Sequence, residues 1–120
     1  VSASGFTRLE FGGEERDFAF KLAELRRLQE ITGRGPHRVL KDLRNGDWMV
    51  EDIEHTIRLG LEAAGVEAKE ATALVRRYVV EPQHWMSLGR TTAMAILIDG
   101  LEGPDGDAPK KSPAGKPKKP

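Results

Sequence analysis

Apolar and polar positions alternate over the first twenty residues and then change to a helical period. Phe6-Thr7-Arg8-Leu9-Glu10-Phe11 and Arg16-Asp17-Phe18-Ala19-Phe20 read as two strands, with Gly12-Gly13-Glu14-Glu15 supplying the reversal. Phe18 and Phe20 share one face of the second arm, whereas Phe6 and Phe11 fall on opposite faces of the first. A lone hairpin is marginal in water and has to lie on the helices C-terminal to it. The expected contacts run from Phe6, Leu9, Phe11, Phe18 or Phe20 to Leu22 and to the Leu74 and Tyr78 face of a later helix.

Beyond the hairpin the period is that of α-helices. Leu22, Leu25, Leu28 and Ile31 recur about once per turn and predict a helix from Lys21 to Thr32, stopped by Gly33. Gly35-Pro36 restarts the chain, and Val39, Leu40 and Leu43 predict a short helix closed by Asn45-Gly46. A third helix is expected from Glu51 to Ala64, with Ile53, Ile57 and Leu61 on one face. A fourth, from Glu67 to Val80, has Ala71, Leu74, Val75, Tyr78 and Val79 in register. The fifth, His84 to Leu101, is apolar nearly all round between Thr91 and Ile98. Leu88, Thr92, Ala95 and Ile96 make one apolar face, and Met94, Leu97, Ile98 and Leu101 make another. Such a helix either runs through the middle of the bundle or presents its second face to a partner. The expected fold is α-rich (α+β): an N-terminal β-hairpin packed on a bundle of about five α-helices over residues 1–102. A disordered Lys/Pro-rich tail is expected over 103–120, where no side chain offers much apolar burial.

Charge sharpens this division. The chain of 120 residues carries 19 basic and 19 acidic side chains, but residues 1–102 hold 14 and 17 of them and the last eighteen hold 5 and 2. A mildly acidic body argues against nonspecific duplex binding, which needs a positive surface. The absence of cysteine excludes disulfides, thiolate metal sites and a cysteine nucleophile. The N-terminus lacks the basic-then-apolar pattern of a signal peptide, and the uncharged run Thr91–Ile98 is far short of the ~20 residues that cross a bilayer. A soluble, cytoplasmic protein is expected.

No motif spells out a reaction. His37, His55 and His84 lack a second ligand at metal spacing, and Ser87 sits in Trp85-Met86-Ser87-Leu88-Gly89, not in a nucleophile elbow. Gly33-Arg34-Gly35-Pro36 lacks phosphate-loop spacing and reads as an interhelical turn. Glu51, Asp52 and Glu54 read as complements to a helix dipole on a solvated first turn. Asp99, Glu102, Asp105 and Asp107 miss the calcium-loop register and read as a solvated turn. Lys110, Lys111, Lys116, Lys118 and Lys119 have no aromatics or arginines among them and offer weak, salt-sensitive attraction at most. Trp48 and Trp85 read as core anchors. Neither catalysis, a metal nor a cofactor is expected.

Phe11-Gly12-Gly13, the run Phe18 to Leu22, Leu25 to Gly35, Leu40, Leu43, Asn45-Gly46-Asp47-Trp48, and Ile53 to Leu61 together resemble the gene-transfer-agent family of tail proteins. The resemblance spans about residues 6 to 101. That family is similar to the tail assembly chaperones of long-tailed phages, and its members are also labelled tail-tube proteins. The resemblance implies a non-enzymatic protein that binds tail-tube protein, tape-measure protein or both during tail morphogenesis, with self-association as a further option. A structural minor component of the tail is the first alternative, and a small nucleic-acid-binding module the second. One hairpin's worth of strand favours the chaperone, since tube subunits are built around larger sheets. The expected partner-binding residues are Met94, Leu97, Ile98 and Leu101, the second apolar face of the fifth helix.

Overall fold

A computed structural model describes residues 5–82 and 85–102, the side chains of 85–87 excepted. The 103–120 segment, with its expected disorder and its lysines, lies outside the described residues, as does His84.

The hairpin forms from β1 (Phe6–Phe11) and β2 (Glu14–Ala19), antiparallel, with Phe6 opposite Ala19 and Phe11 opposite Glu14. Its turn is shorter than the four residues expected. Gly12 and Gly13 both take positive φ, +69° and +86°, as a two-residue type I′ turn requires, so Glu14 and Glu15 become strand. Gly12 is required for a second reason: a Cβ there would meet the Tyr78 ring at 2.6 Å. The register places Thr7, Leu9, Phe11, Arg16 and Phe18 on one face and Phe6, Arg8, Glu10, Asp17 and Ala19 on the other. Arg8 links Glu15 and Asp17 across the outer face, and Phe6 stays exposed there.

Five helical segments complete the domain: α1 (Leu22–Thr32), α2 (Pro36–Asn45), α3 (Val50–Ala63), α4 (Ala68–Val75) and α5 (Trp85–Glu102). Punctuation by glycine and proline works as the sequence predicts. Gly33 and Gly46 close α1 and α2 in the left-handed conformation, and Pro36 opens α2 at its first turn. α4 does not stop at Val75 but continues as a π-helical turn, Arg76–Val80, in which the Glu81 N–H donates to the Arg76 carbonyl at 2.9 Å.

α3 and α5 pack on each other at the centre, with β2, α4 and α1 around α3 and with α2, β1 and the π turn around α5. Ile53, Ile57 and Leu61 of α3 are fully buried, together with Phe18, Phe20, Leu28, Leu40, Leu43, Val79, Ile96 and Leu97. The floor of the hairpin is therefore α3 and α5. Phe18 lies over Gly60, where a Cβ would stand 3.3 Å from its ring, and Phe20 lies over Gly100, where a Cβ would come within 2.9 Å of the Phe20 carbonyl oxygen. The expected contact of Phe11 with Tyr78 forms, edge to face at 5.8 Å, and Phe11 meets Phe18 at the same separation. The expected contact with Leu22 does not: Leu22 is 62% exposed, and α1 buries only Leu28 fully, with Leu25 half-buried. A stripe at every turn is wider than the narrow seam by which α1 touches α3.

Candidate functional site

α5 carries the expected partner-binding residues, and the fold separates them. Leu97 is 0% exposed, so a substitution there reads on folding before it reads on docking. Met94, Ile98 and Leu101 are half-buried and pack on the edge of the core at i, i+4 and i+7, one line along the helix. On the other apolar face Ile96 is buried, Thr92 and Ala95 are half-buried, and Leu88 is 70% exposed. Leu88 borders a shallow groove of about 320 Å³ with Phe11, Gly12, Tyr78 and Gly89 at the hairpin turn. Burial nearly all round thus explains most of the apolar excess of α5, with the Met94, Ile98 and Leu101 row and Leu88 as its accessible remainder.

Two polar features of the interior escape a reading by helical period. Arg34, in the turn between α1 and α2, reaches both Asp42 of α2 and Asp52 of α3, and Arg38 adds a second bond to Asp42 at 3.1 Å. Asp52 is 1% exposed and also accepts the Met49 N–H at 2.9 Å, which caps the start of α3. The solvated first turn expected for Glu51, Asp52 and Glu54 therefore holds for the exposed Glu51 but not for Asp52. The Gly33-Arg34-Gly35 turn is a clamp joining three helices, and its cation is spoken for.

Asp99 is the second. Expected on a solvated turn, it is instead a buried residue of α5, and neither carboxylate oxygen has a hydrogen-bond partner among the described residues. Its backbone carbonyl accepts the Gly5 N–H at 3.2 Å, tying the entry of the hairpin to the end of α5. Burial pushes its carboxyl up to about 6.

Among the described residues no three His, Cys, Asp or Glu side chains gather as a metal would need. His55 is held below its ordinary value, first by burial and then by the neighbouring Arg58. Arg58 donates to its Nδ1 at 3.0 Å, which places the ring proton on Nε2, and also meets Glu62 at 2.9 Å. His37 is exposed, and Trp48 is half-buried against the core. None of the described helices is long and apolar enough to cross a membrane. The described residues form a domain assembled on two central helices, α3 and α5.

A family model described as "Phage tail tube protein, GTA-gp10" matches residues 4–103. No curated protein and no solved structure matches the chain.

Proposed function

Because the chain belongs to the phage tail tube protein, GTA-gp10 family, and so is a phage or gene-transfer-agent tail protein, we propose that it acts as a tail assembly chaperone. In this reading it binds tail-tube protein, tape-measure protein or both while the tail is built, without catalysis, and does not remain in the particle. The observation that carries the reading is the size of the sheet. Among the described residues the only sheet has two strands, fewer than the sheets around which tube subunits are built, and one face of it is spent on the domain's own core. A helical body with a partly open apolar row suits helix-in-groove association instead.

The partner-binding row in this proposal is Met94, Ile98 and Leu101, with Leu97 beneath as its support. Co-expression of the chain with the tail-tube and tape-measure proteins of the same gene cluster tests it. Ile98→Glu is expected to abolish co-purification while leaving a folded domain by circular dichroism. A folded variant that co-purifies at wild-type levels would remove this row from consideration and leave the Leu88 groove as the next surface. The second reading, a structural component that stays in the tail, is favoured by the family description itself.

A further inference from the structure

One flank of the domain gathers cations that the fold leaves unused. Among the described residues Arg8, Arg16, Arg34, Arg38 and Arg58 each meet a carboxylate. Lys69, Arg76 and Arg77, like Lys21, Arg26, Arg27, Lys41, Arg44 and Arg90, meet none within ion-pair distance among those residues, but these three line one groove together. Lys69, Thr72, Ala73, Arg76 and Val80 follow i, i+3, i+4, i+7 and i+11. They form the exposed stripe of α4 and its π turn, opposite the buried Ala71, Val75 and Val79. Two grooves meet at this stripe and share Thr72 and Arg76. One, of about 490 Å³, is lined by Lys69, Ala73, Arg77 and Glu81. The other, of about 310 Å³, is lined by Val75, Val80, His55, Arg58 and Glu54. The first is cationic; the second has an apolar floor.

The backbone marks the same place. A π turn is rare in an α-helix and recurs at functional sites. Here it comprises Arg76–Val80, so it carries both arginines and the exposed apolar Val80.

We infer that this flank is a docking surface for an acidic protein segment, one in which carboxylates flank a single apolar side chain. The apolar side chain enters the smaller groove against Val75 and Val80, and the carboxylates meet Arg76, Arg77 and Lys69. Charge decides against a nucleic acid as the occupant. The body as a whole is acidic, which disfavours a long polyanion, while a short segment with a few carboxylates experiences mainly the local cations. Glu54 and Glu81 on the two rims repel carboxylates placed there and so fix the register of the segment. This surface is separate from the α5 row and stands whether or not that row binds a partner.

The test is a titration of the full chain, followed by amide NMR, with a synthetic peptide in which one Leu is flanked by Glu residues. The same peptide with Lys for Glu and a single-stranded oligonucleotide serve as comparators. Saturable binding of the acidic peptide is expected, with shifts concentrated over Lys69–Glu81 and Glu54–Arg58. Arg76→Glu and Arg77→Glu should each weaken it about tenfold, since each replaces an attraction by a repulsion. Arg76→Ala should weaken it less, and Arg26→Glu on the exposed side of α1 should leave it unchanged. The inference is overturned by failure of the acidic peptide to bind, by tighter binding of the oligonucleotide, or by equal losses in Arg26→Glu and Arg76→Glu.

Discussion

Asp99→Asn tests the interior most sharply, because it replaces a carboxyl by a neutral group of the same shape. Asp99 is 6% exposed and both its oxygens are unpartnered among the described residues, so burial lifts its carboxyl from 3.8 to about 6. The folded protein thus holds the Asp99 proton more tightly than the unfolded chain does. The contribution of this group to stability is most favourable below about pH 4, falls between pH 4 and 6, and stays at its low value above. A difference of about two pKa units corresponds to about 3 kcal/mol as an upper figure. Asparagine resembles the protonated acid at every pH. Its extra amide hydrogens cost something in a buried site, but that cost does not change with pH. The readout is therefore the stability gap between variant and wild type by urea unfolding at pH 4 and at pH 7.5. That gap should move by about 2–3 kcal/mol in favour of the variant on going to the higher pH. A gap that stays constant, or that moves the other way, would show that the carboxylate is ionised and compensated, and the account of this part of the core would be wrong.

Arg34→Ala should destabilise the domain by about 3 kcal/mol, since it leaves Asp52 buried with only the Met49 N–H for company. Arg34→Lys should not restore it, because an ammonium lacks the fork that spans two carboxylates. Although burial opposes ionisation of Asp42, hydrogen bonds from Arg38 and Arg34 hold its carboxyl below the ordinary range. Its stabilising share is present above about pH 4 and is lost as the pH falls through the folded value, and acid unfolding of wild type against Arg34→Ala checks this. Phe18→Ala should cost about 3–5 kcal/mol by thermal or urea unfolding, the loss expected for a fully buried ring seated over Gly60. Removal of residues 103–120 should leave the thermal midpoint nearly unchanged, because that segment offers little apolar surface to bury.

The ends of the elements are legible in the sequence for a local reason. Gly33, Gly46 and Pro36 act through their own backbone preferences, so their effect needs no knowledge of distant contacts. Depth of burial is not legible in the same way. Leu22 and Leu28 belong to one stripe at three-residue spacing, but that stripe drifts about 120° around α1 between them, and the seam with α3 takes only the second. On α5 the absence of a polar face announces a helix near the centre, but the period cannot rank Leu97, wholly buried, against Met94 and Ile98, half-buried. Asp52 and Asp99 depart from the solvated turns expected of them because their environments come from elsewhere. Arg34 approaches Asp52 from eighteen positions upstream, and Asp99 loses its solvent to a fold in which the hairpin entry at Gly5 closes over the end of α5. The groove beside Arg76 escapes the helical pattern too, although the sequence carries its signal in cations at Lys69, Arg76 and Arg77 on the polar side of the most regular apolar stripe.

The central claim, a chaperone that builds the tail without joining it, is tested most directly by quantitative mass spectrometry of purified particles alongside lysates in which tails are being assembled. The account predicts this chain in complex with tail-tube or tape-measure protein in the lysate and its absence from finished particles. Its presence in those particles at a fixed ratio to the tail-tube protein would contradict the account and make it a component of the tail.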